Sequence, residues 1–315
     1  MATRIAILDD YQNVALSFAD WDSLDADVMV YSKPFADDTA LIKDIASAEI
    51  IVAMRERTRF PAQLLGRLPE LKLLVTTGPY NDAIDVAAAR DLGIVVSATG
   101  YLESPAAEMT WGLILAAARN IPGEVQSMRQ GGWQTSVGTD LSGKTLGLLG
   151  LGKLGKRVAK VGQAFEMRTI AWSSHLSASE AMRHGVMAVS KEELFATSDI
   201  VSIHVRGGDR TRGLVSAVEL SLMKPTAILV NTSRGPIVDE DALVESLSRK
   251  QIGGAAIDVY NTEPLQPDHP LRGLDNVVLT GHIGYVTHEQ YEVFYRDAVE
   301  DIAAFLSGRP IRVLP

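Results

Sequence analysis

The chain has 315 residues, enough for two cores, and its 46% hydrophobic and 22% charged residues are the balance of a folded rather than a disordered protein. A net charge of −9 leaves no basic excess, so no nucleic-acid partner is expected. The absence of cysteine removes disulfides and thiolate metal sites, and the six histidines form no i, i+4 pair, so no metal centre is expected.

The first apolar run, 5–8, is too short for the core of a signal peptide, and the most apolar helix-like stretch, 109–118, covers about half a bilayer. No membrane segment is expected, and the predicted location is the cytoplasm. Apolar runs at 5–8, 28–31, 50–53, 73–76 and 94–96 alternate with helix-like segments at 41–48, 61–68 and 83–92. That alternation predicts a parallel sheet covered on both faces. Ser104-Pro105 then opens a long apolar helix through Met109, Trp111, Leu113, Ile114 and Leu115, with the serine expected at the N-cap and the end near Asn120-Ile121-Pro122-Gly123. So apolar a helix must be buried, between domains or against a partner subunit. A second series of strands is predicted at 145–149, 169–172, 200–204, 227–231, 255–259 and 277–280, and a last helix at 288–306.

Thr145-Leu146-Gly147-Leu148-Leu149-Gly150-Leu151-Gly152-Lys153-Leu154-Gly155 is an apolar strand running into G-x-G-x-x-G, with a helix-like segment at 156–164. Gly150 permits the tight turn, Gly152 lets the backbone approach a pyrophosphate, and Gly155 lets helix and strand pack closely. The helix N-terminus adds N–H donors and a positive dipole end, and Lys153 and Leu154 of the loop are assigned to the cofactor. A ligand-free turn and an adenosyl-methionine loop share this pattern in isolation. The second strand ends in Ser173-Ser174-His175, where an acid for the ribose hydroxyls is expected and absent. Serine hydroxyls can donate to a 2′-phosphate, so the expected cofactor is NAD or NADP, with NADPH accepted.

Three later stretches are each an apolar strand ending in polar residues: Leu229-Val230-Asn231-Thr232-Ser233-Arg234, Gly254-Ala255-Ala256-Ile257-Asp258 running on to Glu263-Pro264, and Val277-Val278-Leu279-Thr280-Gly281-His282. Ligands of an open parallel sheet sit beyond the carboxyl ends of its strands, so Arg234, Glu263 and His282 are predicted to converge there. Their types suit reduction of a 2-oxo acid. Histidine donates a proton to the carbonyl oxygen, a carboxylate beside it favours the imidazolium, and a forked arginine holds the substrate carboxylate. Taken singly, each also reads as a loop arginine, a turn glutamate or a structural histidine.

With Arg55-Glu56-Arg57-Thr58, Ile84-Asp85, Ala107-Glu108-Met109, Gly143-Lys144-Thr145, Ser198-Asp199-Ile200 and Leu222-Met223-Lys224-Pro225, these motifs make the chain from about residue 50 to 306 resemble the D-isomer-specific 2-hydroxyacid dehydrogenases. That family includes D-3-phosphoglycerate dehydrogenases and hydroxypyruvate/glyoxylate reductases. The resemblance implies hydride transfer between NAD(P)H and a small 2-oxo/2-hydroxy acid, with His282 as acid/base, Glu263 as its paired carboxylate and Arg234 as substrate anchor. It implies an α/β fold of two Rossmann-like parallel-sheet domains. A flavodoxin-like substrate domain, 1–100 plus 287–315, is interrupted by an inserted dinucleotide-binding domain, 101–286. It also implies a homodimer, with the helix after Ser104 near the interface. Beyond the glycine loop and Ser173-Ser174, the cofactor side is assigned His204, Val205, Arg206, Thr211, Thr232, Ser233, Asp258 and Gly284. The substrate side is assigned Arg55, Gly78, Pro79, Tyr80 and Tyr285. His204 is read as a packing or hydrogen-bonding residue, and Arg206 as a partner for a 2′-phosphate. Two alternatives share the fold: a dehydrogenase of the phosphite or formate type, the latter carrying Gln where Glu263 stands, and a dinucleotide-sensing binding protein. The regulatory domains of the longer phosphoglycerate enzymes are not expected.

The chain departs from the family pattern in places. A loop of glycine, aliphatic residue and glycine, whose N–H groups bind the substrate carboxylate, reads Gly78-Pro79-Tyr80 here. Pro79 has no N–H, so binding is expected to move to neighbours such as the N–H of Tyr80. Tyr285 stands where a small residue is usual. With Tyr80 and Trp111 it predicts an aromatic pocket for a larger 2-oxo acid, or else it faces the domain interface. Arg55, Arg57 and Arg59 alternate; if extended they share one face, suited to a phosphate or second carboxylate, or forming a solvated basic edge.

Overall fold

The computed structural model describes residues 2–315. The chain divides into two compact units, Met1–Leu102 with Val286–Pro315, and Glu103–Tyr285.

The discontinuous unit contains β1 (Thr3–Ile7), β2 (Ala26–Val30), β3 (Ile50–Ala53), β4 (Leu73–Thr76) and β5 (Val95–Ala98). Among the described residues they form one parallel sheet in the order β2-β1-β3-β4-β5. The reversal between β1 and β3 is the flavodoxin arrangement. β3 and β4 are buried along their whole length, which is why they read as unbroken apolar runs. Helices Asp38–Ile45, Val86–Asp91 and His288–Leu306 each start on a side-chain cap, Asp37, Asp85 and Thr287, accepting from an N–H of the first turn. Leu41, Ile45, Ile51, Phe60, Leu64 and Leu74 lie in the core between sheet and helices. The last helix brings Tyr291 and Tyr295 against Phe18. Beyond it Val313 bridges antiparallel to Ser97, and Arg312 donates to Asp301 (2.9 Å) and Glu300 (3.0 Å).

The inserted unit contains β6 (Thr145–Leu149), β7 (Arg168–Trp172), β8 (Met187–Ala188), β9 (Ile200–Ile203), β10 (Ile228–Asn231), β11 (Gly254–Ile257) and β12 (Val277–Leu279). They pair in parallel in the order β12-β11-β10-β9-β6-β7-β8. Counted within the unit, this is the Rossmann order with one strand added, reversing between β6 and β9. Side chains alternate by face: Val201, Leu229 and Ile257 enter one core with Phe195 and Leu243, whereas Ile200, Val230 and Ala256 enter another with Leu146, Ile114 and Val158. Each large aliphatic side chain fully buried in this way contributes roughly 1.5–3 kcal/mol.

Three expectations need correction. The helix Ser104–Ala118 has Glu103 at its N-cap, so Ser104 is its first residue and caps nothing; no side chain bonds the cap. Trp111 belongs to the second core: its indole N–H donates to Val158 O (3.3 Å) and its ring stacks on Phe165 at 5.1 Å. It therefore walls no pocket. The segment expected to end the long helix is a helix of its own, Ile121–Arg129, whose proline sits in the first turn, where a missing N–H costs nothing. Among the described residues no helix is long and apolar enough to cross a membrane.

Candidate active site

β6 runs into the glycine loop at the β6/β9 switch point. Gly150 has φ +107°, and a Cβ there would lie 2.8 Å from the His204 carbonyl; a Cβ on Gly155 would lie 2.2 Å from Gly150 O. A Cβ on Gly152 would meet nothing within 4 Å. Gly150 and Gly155 thus serve the packing of the protein itself, while Gly152 leaves an open cradle where the Lys153–Ala164 helix begins with Lys153 and Leu154. That cradle fits a dinucleotide pyrophosphate. Ser173 follows β7 directly, with Ser174 and His175 in the next turn. At the end of β9, His204 Nε2 lies 2.9 Å from the Ser202 hydroxyl, and burial pulls its pKa down to about 4, so the ring is neutral at physiological pH. Val205 O accepts the Ser233 hydroxyl (2.6 Å), Arg206 O accepts the Thr211 hydroxyl (2.8 Å), and the Thr232 and Thr110 hydroxyls lie 2.7 Å apart. The Arg206 side chain is exposed.

Arg234 is set by the buried Asn231 at the end of β10. The Asn231 amide accepts from the Ser233 N–H (3.0 Å) and donates to Arg234 O (3.1 Å). Arg234 Nη1 donates to Ser233 O at 2.8 Å. Its aliphatic stem lies over Gly207, where a Cβ would come within 2.7 Å of Arg234 Cγ. The reading of the sequence missed this contact; Gly207-Gly208 beside Arg206 was the available sign. Gly235 is pressed against Tyr260, whose carbonyl carbon a Cβ would approach to 2.0 Å.

Beyond β11, Glu263 Oε1 accepts the Tyr260 N–H (2.9 Å), and Oε2 lies 2.6 Å from His282 Nδ1. His282, two residues after Thr280, has φ +53°, uncommon for a residue with a side chain. Its loop is clamped by Asp258, 1% exposed, which accepts the Thr280 hydroxyl (2.6 Å) and the N–H groups of Ile283 (2.9 Å) and Gly284 (2.8 Å). The Tyr260 hydroxyl donates to Thr280 O at 2.8 Å, and burial pushes its pKa well up, so it stays a donor. The Tyr285 ring stands 5.5 Å from the imidazole at 80°. With Nδ1 held by a carboxylate, Nε2 is the nitrogen left for proton transfer.

In the discontinuous unit, Arg55 lies in a turn with φ +50°, so the condition for a shared face is not met and Arg55, Arg57 and Arg59 form no extended face. Arg55 is 7% exposed; its Nη1 donates to Thr77 O (3.0 Å) and Tyr80 O (3.4 Å), and its Nη2 to Glu56 (3.3 Å). It fills the space a Cβ on Gly78 would need, 1.8 Å from Nη1. Arg57 donates to Asp9 O (2.6 Å) and stacks 4.3 Å over Tyr11. The Gly78 N–H donates to the Thr99 hydroxyl (2.7 Å), so neither it nor Pro79 offers the loop a donor. Pro79 and Tyr80 are exposed. Among the described residues no group of three or more His, Asp or Glu is arranged to hold a metal ion.

A Rossmann sheet with an open glycine cradle at its switch point, and an arginine and a Glu–His pair on neighbouring loops, defines a dinucleotide-dependent oxidoreductase. The profile described as the D-isomer specific 2-hydroxyacid dehydrogenase NAD binding domain matches residues 111–284. A glyoxylate reductase of Aeropyrum pernix is 42% identical over 261 residues, 80% of this chain and 78% of that one. A D-3-phosphoglycerate dehydrogenase of Archaeoglobus fulgidus is 39% identical over 86% of this chain and 52% of its own, so the chain spans about half the length of that relative. The crystal structure of a phosphoglycerate oxidoreductase from Vibrio cholerae superposes with a TM-score of 0.93 at 38% identity, over 98% of this chain and 100% of that one. The chain belongs to the D-isomer-specific 2-hydroxyacid dehydrogenase family: it is a nicotinamide-dependent oxidoreductase acting on the CH–OH group of 2-hydroxy acids.

Proposed function

We propose that this protein reduces a small, unphosphorylated 2-oxo acid to the D-2-hydroxy acid with NADPH or NADH, using Arg234, Glu263 and His282. The observation that carries the reading is the 2.6 Å contact of His282 Nδ1 with Glu263. It holds Nδ1, which leaves Nε2 to give its proton to the carbonyl oxygen. A nicotinamide dinucleotide held at the glycine loop would supply the hydride for the carbonyl carbon, which with the proton from His282 turns one C=O into one CH–OH. Arg234 holds the substrate carboxylate through its fork. Glu263, rather than glutamine, speaks against the formate type. Arg55 and Arg57 are committed to groups of their own unit, which supports an acid without phosphate, as does the likeness to a glyoxylate reductase. Ser173 in place of an acid supports use of NADPH. The exposed Ile121, Val125, Met128 and Trp133 supply an apolar face for a homodimer, and a chain free of cysteine suits the cytoplasm. His282→Ala lowers kcat for glyoxylate by about 10²–10⁴ while NADPH still binds. Near wild-type turnover in that variant would remove the proposed chemistry.

A further inference from the structure

We infer that Tyr285 is a positioning residue for the proton donor: its ring braces the His282 imidazole and is not a wall of the substrate pocket. This rests on the assignment of His282 as the acid. The backbone around His282 is already fixed. Asp258 accepts from Thr280, Ile283 and Gly284, and Gly284 is wedged so closely that a Cβ would lie 3.1 Å from Asp258 Oδ2 and 3.9 Å from Met109. What the clamp does not fix is the imidazole itself.

One hydrogen bond, Nδ1 to Glu263 Oε2, acts as a hinge pin at one edge of the ring. The ring can pivot about it, and Nε2 at the far edge swings most. The Glu263 side chain is 32% exposed, so the pin is itself lightly held on one side. Tyr285 comes from the same loop, three residues on. Its ring meets the imidazole at 5.5 Å and 80°, the edge-to-face arrangement aromatic pairs prefer. At 5% exposure it has little surface left to offer a substrate. Proton transfer needs Nε2 within hydrogen-bond reach of the carbonyl oxygen, and a misplacement of about 1 Å costs about 10²-fold in rate.

A brace and a pocket wall leave different signatures. Loss of a brace lowers turnover of every substrate by a common factor, whereas loss of a wall changes the ratio between substrates of different size. The experiment compares Tyr285→Ala, Tyr285→Leu and Tyr285→Phe on glyoxylate and phenylpyruvate, with NADPH binding and Tm measured for each. Bracing gives Tyr285→Ala a kcat lower by about 10- to 100-fold on both acids, equal within about twofold. KM moves less than about threefold, and Tyr285→Phe restores at least about half the activity. Should Tyr285→Ala fail to fold, Tyr285→Leu, which fills the space without a ring, takes its place in the comparison. A ratio shifted more than about fivefold, unchanged turnover, or a phenylalanine variant as poor as the alanine one overturns the inference. His282→Ala run in parallel separates the two levels: if it remains active, the assignment of the acid has failed, not the brace alone.

Discussion

The three glycines of the loop have different tasks, and a pair of alanine substitutions separates them. At Gly155 the new Cβ would sit 2.2 Å from Gly150 O, a backbone atom that cannot rotate away. Separation to ordinary contact requires the helix to move off the strand by more than an ångström. Against a backbone atom this close, overpacking costs about 2–3 kcal/mol, and alanine over glycine in a helix returns about 1 kcal/mol, a net loss of about 1–2 kcal/mol. At 2–4 °C per kcal/mol for a domain of 150–250 residues, Gly155→Ala lowers Tm by roughly 2–8 °C. At Gly152 the Cβ meets no protein atom, and its φ of −79° suits alanine, so stability changes by less than about 1 kcal/mol. The added methyl instead stands in the cradle, and dinucleotide affinity falls at least about tenfold, about 1.4 kcal/mol. Thermal unfolding without cofactor and calorimetric titration with NADPH measure the two quantities. If Gly152→Ala binds NADPH as wild type does, the cradle has been wrongly placed. If Gly155→Ala unfolds at the wild-type temperature, the close approach to Gly150 is not a constraint.

Ser173→Asp shifts the ratio of kcat/KM for NADH over NADPH at least about tenfold toward NADH, about 1.4 kcal/mol; an unmoved ratio would mean the ribose is recognised elsewhere. Burial pushes the Asp301 carboxyl up to about 7, against the lowering effect of Arg312, with Asp297 and Glu300 adding repulsion. A carboxyl raised in the folded state contributes stability that is full below the unfolded value of 3.8 and is lost as pH rises through about 7. The Tm of Asp301→Asn relative to wild type is therefore higher at pH 8 than at pH 5, and a difference independent of pH would refute the shift. Val125→Asp with Met128→Asp converts a dimer to a monomer in light-scattering chromatography; a wild-type chain that already elutes as a monomer removes the proposed interface.

The strands were legible because buried parallel strands leave unbroken apolar runs, as in Ile50-Ile51-Val52-Ala53, whereas the spatial order that creates the two switch points leaves no mark on the run of residues. β8 was not: two residues, Met187 and Ala188, carry no periodicity. The helix Ile121–Arg129 hid behind Pro122-Gly123, a pair that reads as a breaker but falls in a first turn. Within the site, residue types and order pointed to the Glu263–His282 pair, since chemistry restricts which residues can follow those strands. The contacts that position the pair and its arginine were not legible, because they join a side chain to backbone groups, as Asp258 does to Ile283 and Gly284, or depend on a missing side chain, as at Gly207 under Arg234. The alternation at Arg55, Arg57 and Arg59 left the backbone path open, because alternation of charge says nothing of φ, and +50° at Arg55 breaks the extended path.

The inserted unit leaves and re-enters its host at closely tied points. Within the host, the Leu102 N–H bonds the Gln290 side chain at 2.8 Å, and the Gly100 N–H bonds Asp297 at 2.8 Å, so the two cut ends are sewn to each other through the final helix. Within the insert, a Cβ on Gly284 would lie 3.9 Å from Met109, so its last residues pack on its first helix. Each piece has its own core and its own closed set of strand pairings. The chain can therefore be treated as a cassette: a short peptide joining Leu102 to Val286 would interrupt no strand pairing of the host, and 103–285 keeps its seven strands and its glycine loop in one piece. Excision, fusion and transplantation of the guest are operations the architecture permits at two peptide bonds.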